Sequence, residues 1–145
     1  MLSSLRIALI AFLSLSALIA NASTPLRQRI NFNAEWHMHV GDLSLSDVQS
    51  AFPAWQSVTL PHAFNEDEAF AKSIEQLTDT VAWYVKSFSL SDPQNTKTFL
   101  ELEGVRFAAE VYVNGHKVGT TENGVMASGY DLSPFVVSGQ NILCR

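Results

Sequence analysis

From about residue 29 onward, polar and apolar residues alternate over short stretches, the pattern of strands with one buried face. Trp36, Met38 and Val40 fall on one side of a predicted strand, and His37 and His39 fall on the other. The same period of two runs through residues 29–33, 56–60, 98–102 and 109–113. Residues 81–90 form the longest such run and are rich in aromatic and β-branched side chains. Asn114-Gly115 separates Val111-Tyr112-Val113 from His116-Lys117-Val118. A two-residue type I′ turn needs positive φ at both centres, so a tight hairpin is predicted there. Pro53, Pro61, Pro93 and Pro134 punctuate loops and strand ends. Two stretches carry helical spacing: 46–52, with Ser46 or Asp47 as its cap, and 67–77. Many short strands with few helices predict an all-β sandwich or barrel.

The N-terminus changes the picture. Arg6 precedes an apolar run over 7–19, and Ala20-Asn21-Ala22 follows. A positive end, an apolar stretch and a small-x-small site predict a secretory signal peptide over 1–22 and export to the periplasm or the medium. The run is shorter than the roughly 20 apolar residues of a membrane span, and Ser14 and Ser16 interrupt it. No span is therefore expected after processing. The mature domain is expected over 23–145. Its net charge moves from -5 to -6, because Arg6 is the only charge removed. A mildly acidic chain without a basic stripe argues against nucleic acid as a partner. Cys144 is the single cysteine, so no internal disulfide is expected.

Candidate chemistry is sparse. Hydrolysis by a pair of carboxyl groups needs the two roughly 5–10 Å apart across the bond that is cut. The candidate acids are Glu66, Asp67 and Glu68 in one loop, Asp79 nearby, and Glu101 and Glu103 at a strand end. Their spacing picks out no pair, so no catalytic residue is assigned. His37 and His39 share a strand face, but zinc takes three or four ligands in known spacings. Neither a metal site nor a cofactor is expected. Trp36, Trp55, Trp83 and Tyr84 are able to stack on sugars. Core packing is the favoured role for Trp36 and Trp83, while Trp55 is open between the two.

Five segments in order resemble the N-terminal sugar-binding domain of glycoside hydrolase family 2. They are Arg29-Ile30-Asn31-Phe32-Asn33 leading to Trp36; Trp55 with Val58-Thr59-Leu60-Pro61-His62; Ala82-Trp83-Tyr84-Val85-Lys86-Ser87-Phe88; Leu102-Glu103-Gly104-Val105 with Val111-Tyr112-Val113-Asn114-Gly115; and Gly129-Tyr130-Asp131-Leu132-Ser133-Pro134 with Gly139-Gln140-Asn141-Ile142-Leu143. Residues 60–67 and 122–129 resemble the β-galactosidase-like branch. Val85 stands where that family usually carries Arg. The resemblance implies a galactose-binding-like jelly roll, lacking its last strand or strands and ending within one at 141–145, where an unpaired sheet edge is expected. It also implies a parent enzyme that hydrolyses β-linked sugars with retention. Its immunoglobulin-like and barrel domains, which carry the catalytic glutamates, are expected to lie beyond this chain.

In that family some loops of this domain rim the sugar pocket. The resemblance makes residues 62–67 the candidate rim, with Asn65 and Asp67 bonding sugar hydroxyls and His62 orienting the loop. Carbohydrate is thus the expected partner. Two other readings stand beside the enzyme module: a stand-alone carbohydrate-binding module on the same fold, and a gene fragment without function.

Overall fold

The computed structural model describes residues 27–122, 124 and 126–145, so the signal peptide expected over 1–22 lies outside the described residues. The chain divides into two units, Met1–Asn31 and Phe32–Arg145. In the first, residues 27–31 have no regular secondary structure.

In the second unit the described residues form eight strands: β1 Trp36–Val40, β2 Gln56–Val58, β3 Ala82–Leu90, β4 Phe99–Leu102, β5 Ala109–Val113, β6 His116–Thr121, β7 Ser128–Asp131 and β8 Gly139–Cys144. Helix α1, Leu45–Ala51, precedes β2, and helix α2, Glu66–Ala71, precedes β3. Six strands build one sheet in the order β2-β1-β3-β8-β5-β6, and β4 pairs with β7 in a second. Every pairing is antiparallel. Of the sandwich or barrel expected from the alternation, the sandwich is the observed architecture. The Asn114-Gly115 hairpin is present, with φ of 49° and 84° at its two centres.

The predicted alternation sorts the side chains correctly. Trp36, Met38, Val111, Val113 and Leu143 from the large sheet meet Leu100 and Leu102 from the small one in the core between them. Tyr130 of β7 lies against Gly119 of β6. A Cβ there would stand 2.5 Å from the Tyr130 ring, so glycine permits this sheet-to-sheet contact. A second cluster covers the outer face of the large sheet. Val48 of α1 and Phe52 just after it pack on Val85 and Cys144. Val85 is fully buried there, so an arginine at this position would be surrounded by apolar side chains.

Three expectations are corrected. Residues 32 and 33 are not strand. The carbonyls a strand would offer to a neighbour are taken otherwise: the Trp36 indole donates to Phe32 O at 2.8 Å and Leu60 N donates to Asn33 O at 2.8 Å. The alternation instead seats Phe32 edge-on against Trp36 and Phe88. The cap of α1 is Ser44, whose hydroxyl accepts from Asp47 N and donates to the Asp47 carboxylate. The final strand is not an unpaired edge. β8 lies inside the sheet, against β3 from Val85↔Cys144 to Leu90↔Gly139 and against β5 at Tyr112↔Cys144 and Val113↔Leu143.

Candidate functional site

The candidate rim begins where β2 leaves the sheet. Leu60 and Phe64 pack on the inner core, so the chain between them crosses that face beside β1. His62 is half-buried, and its Nδ1 lies 3.0 Å from the Tyr84 hydroxyl, with the two rings edge to face. Tyr84 is itself buried, and burial pushes its phenol pKa upward. Its ring carries the Arg145 guanidinium 5.2 Å from its centre. His62 is thereby fixed from below by a core side chain.

Asn65 then occupies the N-cap position of α2. Its carbonyl accepts from Glu68 N and Ala69 N, but its side chain makes no capping bond. Glu66, Asp67 and Glu68 fill the first turn, where the exposed amides of a helix start favour negative charge. Glu68 accepts from Lys72 Nζ at 2.9 Å, and from the Thr78 amide and hydroxyl at 2.8 Å each. The Lys72 bond foremost, then those from Thr78, hold its carboxyl at about 2. This ties α2 to the chain that follows it.

The loop, α2 and the strand edge enclose an open cleft of about 510 Å³. Met38, Val40 and Gln56 form its strand side, and His62, Asn65 and Asp67 line the loop side together with Glu66 and Glu68. All three residues named from the sequence thus border one cleft. Three carboxylates line it, and no lysine or arginine does. The arrangement offers carboxylate and carboxamide groups on the loop side opposite Met38, Val40 and Gln56 on the strand side.

Other candidates lie elsewhere. His37 meets the Phe52 ring and His39 stacks on Trp55 at 5.0 Å, both on the outer face. Among the described residues no group of three or more His, Cys, Asp or Glu is placed to hold a metal ion. Trp36 and Tyr84 are core residues, while Trp83 lies on the outer face beside Tyr112. Glu101 belongs to β4 in the other sheet. Of the supports of the cleft, Tyr84 under His62 is expected from the sequence only as a side chain able to stack on sugars, and Thr78 on Glu68 is not singled out there. Tyr84 was detectable as an inward position of β3, but nothing local marks Thr78.

The two sheets packed over one core make the second unit an all-β sandwich with the cleft at its β1–β2 edge. Residues 35–144 match the glycosyl hydrolase 2 galactose-binding domain-like family. A β-galactosidase of Bacteroides ovatus is 33% identical over 119 residues, which is 76% of this chain and 14% of that protein. A β-glucuronidase of Formosa agariphila is 32% identical over 124 residues, 79% of this chain and 12% of that protein. Among solved structures, a β-glucuronidase of glycoside hydrolase family 2 superposes with a TM-score of 0.72 at 30% identity, covering 79% of this chain and 13% of its own. A β-glycosidase of Bacteroides vulgatus gives 0.68 at 28% identity, covering 81% and 17%. The chain belongs to the galactose-binding-like N-terminal domains of glycoside hydrolase family 2. It spans less than a fifth of the length of each of these relatives.

Proposed function

We propose that this chain is the non-catalytic N-terminal module of an exported family 2 glycosidase, and that its cleft contributes to the rim of a site for a neutral β-linked sugar. The observation that carries the reading is the cleft itself, where Asn65, Asp67 and His62 converge with Glu66 and with Glu68, the latter paired with Lys72 behind the lining. Relatives named as β-galactosidase and as β-glucuronidase both resemble the chain. The lining charge favours the first kind. A uronate carboxylate would meet Glu66 and Asp67, while Glu68 is already paired with Lys72, and like charges there are unfavourable. A galactoside would instead donate hydroxyls to them. The leader-like pattern of residues 1–22 supports the exported part of the reading. Among the described residues no helix is long and apolar enough to cross a membrane.

Titration of the purified chain with methyl β-galactoside, followed by amide NMR shifts, tests the reading. Shifts confined to residues around 62–68 are expected, with weaker response to glucuronate at equal concentration. Asp67→Asn and Asn65→Ala should each weaken binding by about 10-fold, the scale of one lost hydrogen bond to a charged or buried polar group. Absence of shifts at tens of millimolar sugar, on the order of the weakest specific affinities, would refute the rim role.

A further inference from the structure

Lys86 sits on the sandwich-facing side of β3, between Tyr84 and Phe88 on the same face, and is only 8% exposed. An ammonium group in such a place must be satisfied by polar partners. Its Nζ donates to the Ala34 carbonyl and lies 4.5 Å from the centre of the Phe32 ring. Three consecutive carbonyls of the entry strap are thus captured by three different groups: Phe32 O by the Trp36 indole, Asn33 O by Leu60 N, and Ala34 O by Lys86. The strap then turns into β1 through Glu35 at φ 59°. Leu60, which it holds, lies two residues before His62, which Tyr84 holds. The path closes on itself. It leaves β3 at Lys86, passes through the strap and Leu60 to His62, and returns to β3 at Tyr84, two residues from its start.

We infer that Lys86 is a positioning residue for the cleft: through the strap over 32–34 it fixes Leu60 and so sets where the loop over 62–67 begins. The loop is clamped at two points by neighbouring side chains of one rigid strand. This presents Asn65 and Asp67 in one geometry before any ligand arrives, the arrangement by which a site on a loop avoids paying for its own ordering. The consequence for sugar binding rests on the rim function proposed above. The mechanical coupling does not.

Amide hydrogen exchange on the full chain, comparing wild type, Lys86→Met and Lys86→Arg, reads the coupling directly. Lys86→Met keeps the unbranched apolar body, one atom shorter, while removing the donor. It should speed exchange at Leu60 and across 62–68 by about 10-fold relative to Val111 and Leu143, and Lys86→Arg should hold those rates near wild type. Should either Lys86 variant fail to fold, Tyr84→Phe opens the other clamp point and should speed exchange at 62–68 in the same way. Unchanged loop rates in Lys86→Met, or an equal rise at Val111 and Leu143, would overturn the inference. So would loop rates in Tyr84→Phe that match wild type. If wild type binds methyl β-galactoside, Lys86→Met should weaken binding several-fold and Lys86→Arg should restore it. If wild type binds no sugar, the rim function fails, and the exchange rates still decide the coupling.

Discussion

Asn141 is fully buried in β8 with its carboxamide bonded on both sides. Its oxygen accepts from Val137 N and from the Asn114 side chain, both at 2.8 Å. Its nitrogen donates to Val137 O and Gly139 O. Asn114 completes the network, accepting from Ile142 N and donating to Phe135 O. Two amides thereby join the β5–β6 hairpin to the turn before β8. Removing one side of such a set strands several buried groups at about 1–3 kcal/mol each, not additively. Asn141→Ala should therefore lower the unfolding free energy by about 3 kcal/mol or more in urea titrations. Asn95→Ala, which breaks only exposed bonds to Asp92, should change it by less than about 0.5 kcal/mol. Similar effects at the two sites would mean that the network adds nothing. The sequence shows Asn141 only inside a family-like segment. Its partner Asn114 lies 27 positions away, and no local pattern joins them.

Elements were legible where one face is buried and the strand is regular. In β4, Leu100 and Leu102 are buried while Phe99 and Glu101 are exposed, so the period of two is visible in the letters. β7 escaped because Ser-Gly-Tyr-Asp carries one large side chain and no β-branched residue. Residues 29–33 misled because their alternation reflects one aromatic plug, Phe32, rather than a paired strand. Helix α2 was placed roughly, but its anchoring was not seen, because Glu68 bonds Thr78 ten residues on. That anchor carries a pH signature. The Glu68 carboxyl sits at about 2 in the fold against an ordinary 4.5, so the ionised form is the one the structure favours. A depressed value means the tie is complete above about 4.5 and is lost as pH falls through about 2. The carboxyl carbon shift of Glu68 should titrate near that lower value, with the Thr78 amide shift following it. Lys72→Ala removes the largest contribution and should move the midpoint upward. A wild-type midpoint at the ordinary value would show that the clamp is not formed in solution.

At the scale of the second unit, the fold class was legible because many short alternations leave few architectures. The strand order was not, since pairing β8 between β3 and β5 joins residues 30 and 32 apart in sequence on the β5 side and 49 to 59 apart on the β3 side. That central position gives Cys144 its character. It is fully buried beneath Val48 and Phe52, and burial pushes its thiol up to about 12. At pH 8 the thiolate fraction in the folded state is then on the order of 10⁻⁴, and attack by a disulfide reagent also needs access to the sulfur. Reaction with a chromogenic aromatic disulfide should therefore proceed only through molecules in which β8 has left the sheet. If the two clusters on either side of the large sheet open together, the logarithm of the labelling rate should rise with urea along the slope of the equilibrium unfolding curve. A rate independent of urea would mean that the end of β8 frays while the rest stays closed. The outer cluster would then melt separately from the inner core, leaving the sandwich with two cooperative units where its pairing predicts one.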